Sequence, residues 1–192
     1  MLNRVQDKLL LRGNVSGMHF LTAGPQKSLL QWALADDYSA VLDMSCNNTS
    51  LLQALNWRYC VRSCGIAETT EMARMLRQDC PDAEIFAART EDIPWKNETF
   101  DVAFLEVHQT EGALNGKTLA EANRVLKKGG QMLIALEGMP EWIQKTMAFL
   151  GLKDMEDTLT RISLLNEMAH AGFRDITWRR TGPTVGIAIG WK

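Results

Sequence analysis

The sequence predicts an α/β fold: a doubly wound, mostly parallel seven-stranded sheet ending in a C-terminal antiparallel hairpin. Three observations carry this. Short apolar bursts alternate with helix-patterned segments, the pattern of parallel strands joined by crossover helices. The run Phe100-Asp-Val-Ala-Phe-Leu105 is almost wholly apolar, as a strand covered on both faces must be. The last two strand candidates are joined only by residues 179–184, too short for a crossover helix, so that pair is expected to be antiparallel.

The elements follow in order. Residues 39–44 read as the first strand, closed by polar turn residues, and 49–55 as a helix with Leu51, Leu52 and Leu55 at helical spacing. Residues 59–66 are the second strand. A helix over 70–78 is rich in good formers, and 84–88 is a brief third strand. A turn at 93–98, carrying Pro94, leads into the fourth strand at 100–105. Residues 118–126 are helical and stop at Lys127-Lys128-Gly129-Gly130, where cations complement the helix dipole and glycine tolerates the left-handed cap. The fifth strand is 131–136. Residues 140–150 read as an amphipathic helix opened by Pro140, and 159–171 as a second helix with Ile162, Leu165, Met168 and Ala169 on one face. Strands over 175–178 and 185–189 complete the sheet. In sheets wound this way a ligand sits beyond the carboxyl ends of the strands, which puts a site in the loops after strands one to four.

Composition bounds the function. The 192 residues, 46% of them hydrophobic and 23% charged, suit one compact soluble domain. A net charge of −2 and a pI near 5.9 give no basic excess, so neither nucleic acid nor an anionic membrane is an expected partner. No apolar run approaches the ~20 residues of a membrane span, and Asp7, Lys8 and Arg12 interrupt any leader-like stretch. Cys46, Cys60, Cys64 and Cys80 lack the paired spacing of a zinc site and read as reduced thiols of a cytoplasmic protein.

Several segments together resemble class I S-adenosylmethionine-dependent methyltransferases, a Rossmann-like family. Asp43-Met-Ser-Cys-Asn-Asn-Thr49 stands where that family has its glycine-rich first motif. Gly65 to Met72 resembles the end of its second strand, and Arg89 to Pro94 with Glu98 to Val102 its third loop and fourth strand. The most specific piece, Ala120-Glu-Ala-Asn-Arg-Val-Leu-Lys-Lys-Gly-Gly130, is similar to the family's "RVLKPGG" passage. The resemblance runs from about Leu21 to the C-terminus and implies a helical or lid segment over 1–30, containing His19 and Phe20, before an α/β domain over 31–192.

What the resemblance implies for the site follows residue by residue. Asp43 orders the first loop and approaches the cofactor's ammonium. Ser45, Asn47 and Thr49 hold the three glycine positions, and Asn47, which tolerates positive φ, is expected to make the tight turn. The residue that accepts the ribose hydroxyls corresponds to Ala67, with the carboxylate of Glu68 one place along; the adenine-reading carboxylate corresponds to Arg89, beside Thr90. Glu106 and His108 follow the fourth strand, over the place of the transferable methyl. Glu106 is a candidate for the ammonium or the substrate, and His108 for a general base, its reference pKa suiting neutral pH. Trp95, Trp142 and Trp178 are candidates for covering a flat substrate.

The leading expectation is therefore a methyltransferase that uses S-adenosyl-L-methionine on a small molecule, a reaction that needs orientation and dryness rather than a metal or covalent nucleophile. The alternative is a catalytically impaired relative serving as a binding or scaffolding module, with a homodimer as one form. A nicotinamide oxidoreductase is disfavoured because G-x-G-x-x-G is absent.

Overall fold

The structure is a computed structural model and describes residues 24–108, 116–138, 155–182 and 184–192. The chain runs α1 (Pro25–Trp32), β1 (Ala40–Asp43), α2 (Ser50–Arg58), β2 (Arg62–Ala67), α3 (Thr70–Asp79), β3 (Glu84–Ala87), β4 (Phe100–His108), α4 (Gly116–Val125), β5 (Leu126–Glu137), α5 (Met155–His170), β6 (Arg174–Arg180) and β7 (Val185–Trp191). One seven-stranded sheet results, in the order β3-β2-β1-β4-β5-β7-β6. β1 to β5 pair in parallel, and β7 runs antiparallel to both β5 and β6, as the short connection required.

The central strands of the sheet are buried on both faces, which explains their unbroken apolar runs, while β3 and β6 at the edges are largely exposed. Leu29, Leu30, Leu51, Leu52, Leu55, Ala73 and Leu76 bring α1, α2 and α3 against Val41, Val102 and Phe104 on one face. Leu119, Ala122, Val125, Leu164 and Met168 bring α4 and α5 against Leu42, Ala103 and Ile134 on the other. Strand alternation thus sorts odd and even positions to opposite layers.

Local chemistry fixes the helix ends. Pro25 stands at the start of α1, whose C-terminal end is tied to the sheet by the buried Gln131. That side chain accepts from Leu34 N at 2.8 Å and donates to Trp32 O at 3.1 Å. Asn48 Oδ1 accepts from Ser50 N at 3.0 Å before α2, and Thr69 Oγ1 accepts from Met72 N at 3.1 Å before α3.

The "RVLKKGG" passage has a physical role. Arg124 on α4 is held by Glu121 at 2.7 Å and donates to Ile93 O, Trp95 O and Asn97 Oδ1 at 2.9 Å each, clamping the loop before β4. Gly129 takes φ +76°, but inside β5 and past the end of α4, so the helix stop expected at Lys127 to Gly130 is not formed there. Several boundaries differ from the sequence expectation, the start of β5 most. α4 ends at Val125, and β5 starts at Leu126 rather than 131, because Leu126 pairs with Phe100 and a register shift absorbs the intervening residues. β2 starts at Arg62 rather than 59.

At the outer rim of the sheet, Ala88 N donates inward to Ala67 O, so strand alternation turns the Ile85 carbonyl outward. Arg77 Nη1 from α3 donates to it at 3.2 Å. The expected helix over 140–150, with Trp142, and the residues His19 and Phe20 lie outside the described residues. Among the described residues no helix is long and apolar enough to cross a membrane.

Candidate functional site

Strand order reverses between β1 and β4, and the carboxyl ends of these strands define the crevice. Asp43, the last residue of β1, faces Gly65 of β2 on one side and Phe104 of β4 on the other. One alternation step further, on the same face, stand Ala67 on β2, Ser45 on the loop after β1, and Glu106 on β4.

Asp43 is 1% exposed. Its Oδ1 accepts from Ser45 N at 3.0 Å, whereas its Oδ2 is buried with no hydrogen-bond partner. Burial, and next the charge of Glu106, push its pKa up to about 7, against smaller opposing contributions from Ser45 and Cys46. A buried carboxylate oxygen without a donor is costly, so this atom is a ready acceptor for a cationic group.

The loop after β1 turns without a left-handed residue. Asn47 was expected at positive φ, yet among the described residues the non-glycine positive φ values belong to Tyr38, Glu98 and Asp175. Backbone bonds shape the loop instead: Met44 N donates to Phe104 O at 2.9 Å, Cys46 N to Ile66 O at 3.0 Å, and Asn47 N to Ser45 O at 2.7 Å. The three side chains at the family's glycine positions go separate ways. Ser45 Oγ accepts from Glu106 N at 2.8 Å. Asn47 is exposed. Thr49, with φ −95°, is buried and donates its hydroxyl to Asp79 of α3.

Gly65 packs closely under this loop: a Cβ there would stand 3.0 Å from Cys46 Sγ, so the sulfur would have to shift. The Cys46 thiol is buried there and burial raises its pKa far above the usual range, which makes it a packing group. Cys64 is likewise pushed up, to about 12, and the four cysteines are unbridged.

The β2 side of the crevice differs. Ala67 is 1% exposed and offers a methyl group, while Glu68 is exposed beyond it. Arg89 has an 82% exposed side chain that pairs with Glu91 at 3.3 Å. Thr90 Oγ1 lies 3.1 Å from Thr118 Oγ1 on α4, so it is engaged with the opposite layer. Trp95 packs edge-on between Phe86 and Phe100 at 5.3 and 5.4 Å, and the Trp178 ring covers Gly186; both rings are packing groups in this structure. Arg179 lies over the Trp32 ring at 5.8 Å. His108 ends β4, two residues beyond Glu106. Sequence reasoning placed Asp43 and Glu106 in the site. It missed the Ser45 link between them and the Arg124 clamp, although the Glu121–Arg124 spacing signalled an ion pair. Among the described residues no group of His, Cys, Asp and Glu is placed to hold a metal ion.

This geometry sits on a known framework. Residues 42–134 match the family model described as a methyltransferase domain. The fold is shared with a chain of the complex between the Haloferax volcanii Trm112 methyltransferase activator and a methyltransferase. That pair is 16% identical over 87% of this chain and 88% of that one, with a TM-score of 0.67. Geranyl diphosphate C-methyltransferase from Streptomyces coelicolor A3(2), solved with Mg2+, geranyl diphosphate and S-adenosyl-L-homocysteine, is 13% identical over 86% and 79%, at 0.63. The [4+2]-cyclase SpnF is 16% identical over 86% and 78%, at 0.64. No curated protein sequence matches the chain. The fold is the doubly wound α/β fold of these neighbours. Within it, residues 42–134 match the methyltransferase-domain family, and the solved neighbours that share the fold include S-adenosylmethionine-dependent methyltransferases.

Proposed function

We propose that the chain binds S-adenosylmethionine at the β1–β4 switch point and methylates a small molecule. The observation that carries this is the buried, partnerless Oδ2 of Asp43 beside Glu106. Two carboxyl groups close together disfavour each other's ionisation, and an ammonium between them relieves both. The residues therefore suit the amino-acid end of the cofactor.

Asp43 and Glu106 would hold the ammonium, with the backbone of Ser45 to Asn47 beneath it. Ala67 and Glu68 would border the ribose, Glu68 being the carboxylate available there, and Arg89 and Thr90 would border the base. When bound, the cofactor supplies a methyl group on a sulfonium, open to direct displacement. The chain's own task is to orient the acceptor, exclude water and take its proton, the last falling to His108 with Glu106 beside it. A small acceptor is favoured because the net charge of −2 gives a polyanion no attraction.

Calorimetry with S-adenosylhomocysteine tests this: saturable binding is expected, and none at millimolar ligand overturns it. A second reading, a binding or scaffolding module without catalysis, is favoured by Ala67 and by Arg89 pairing with Glu91 in solvent. That reading fails if the native protein binds the ligand well and turns over methyl groups.

A further inference from the structure

We propose that Ser45 is a positioning residue: its hydroxyl ties the end of β4 to the end of β1 so that Asp43 and Glu106 present one cation site. The family's first loop carries glycine here, so this function belongs to a side chain the family's motif does not supply. The ligand half of the inference rests on the proposed cofactor reading; the carboxylate half does not.

The β1–β4 ladder shows the argument. Asp43 faces Phe104, and Met44 N donates to Phe104 O at 2.9 Å. The next rung of a parallel ladder would carry Glu106 N to the Met44 carbonyl. Instead the chain bends away, and Glu106 N donates to Ser45 Oγ at 2.8 Å. A side chain thus replaces a backbone rung where the two strands separate. The same residue's N–H donates to Asp43 Oδ1 at 3.0 Å. Ser45 therefore touches the backbone of one carboxylate residue and the side chain of the other.

The groups facing Asp43 among the described residues are few. Glu106 faces it from β4 and Cys46 from its own loop, while β2 offers the methyl of Ala67 and the exposed Glu68 lies past it. His108 follows two residues beyond Glu106 on β4. The Ser45 hydroxyl favours the ionised form of Asp43, opposing burial and the Glu106 charge. Removing that hydroxyl leaves the Glu106 amide without its acceptor and the Asp43 carboxylate with less support.

Carbon-13 carboxyl titration of Asp43 and Glu106 by NMR tests the first half, in the full chain without ligand. Ser45→Ala and Ser45→Gly are expected to raise the Asp43 midpoint by about half to one pH unit, and Ser45→Thr to restore it. Glycine is the family's own residue here, so that variant keeps the loop foldable if alanine does not. Calorimetry then compares S-adenosylhomocysteine with 5′-methylthioadenosine, which lacks the amino-acid portion. The preference of the native protein for the former should fall about tenfold in Ser45→Ala and Ser45→Gly and recover in Ser45→Thr. Unmoved midpoints in both variants overturn the proposal, as does an unchanged ligand preference alongside shifted midpoints. If the native protein binds neither ligand, the cofactor reading fails, and the titration alone decides whether Ser45 couples the carboxylates.

Discussion

The two sides of the switch-point crevice are built from unlike chemistry. On the β1–β4 side stand Asp43, buried with one unpaired oxygen, and Glu106, joined through Ser45. On the β2–β3 side the strand ends present Ala67, and the charged residues beyond it, Glu68 and Arg89, are exposed. On the proposed reading the first side would take a positive charge, whereas the second offers little to read a sugar or a base. Recognition should therefore concentrate at one end of any ligand.

The largest expected effect is on stability against pH. Burial, and next the Glu106 charge, push the Asp43 pKa up to about 7 in the folded chain, from 3.8 for the free side chain. The folded state keeps a proton that the unfolded state loses between those values, so stability falls as pH rises through that window. Chemical denaturation at pH 5 and pH 8 should show the native protein losing up to about 2.5 kcal/mol more than Asp43→Asn. An equal loss in both would remove Asp43 from the comparison.

Ligand affinity comes next. Asp43→Asn should weaken S-adenosylhomocysteine by about 30-fold, on the order of 2 kcal/mol, as a charge-assisted contact becomes neutral. Ala67→Asp should sharpen the contrast from the other side. It should strengthen the same ligand by about tenfold and make its binding depend on the ribose hydroxyls, since it supplies the missing acceptor. Binding of the 2′-deoxy analogue to both proteins checks this. The smallest effect is expected for Arg89→Ala, less than about twofold in affinity, because its guanidinium is solvated and occupied by Glu91. A tenfold change there would mean that the β2–β3 side reads the ligand after all.

The fold was legible because its signals are local. Alternating apolar bursts and the six-residue link before β7 each act through neighbours in sequence. The boundaries were less legible where pairing overrides propensity, as at Leu126, which joins β5 because Phe100 lies beside it. For the candidate site the sequence offers positions rather than chemistry. Asp43 and Glu106 follow from strand ends, but an unpaired oxygen depends on contacts 61 residues apart, such as Ser45 with Glu106. Asn47 failed as a left-handed turn residue for the same reason: the loop is bent by bonds to Phe104 and Ile66, which no local pattern reveals.

Arg77, whose guanidinium occupies the outward carbonyl of Ile85, bears on how copies of this chain meet. A rim with one acceptor already taken is a less ready template for a foreign strand, which would have to displace the guanidinium before extending the sheet at β3.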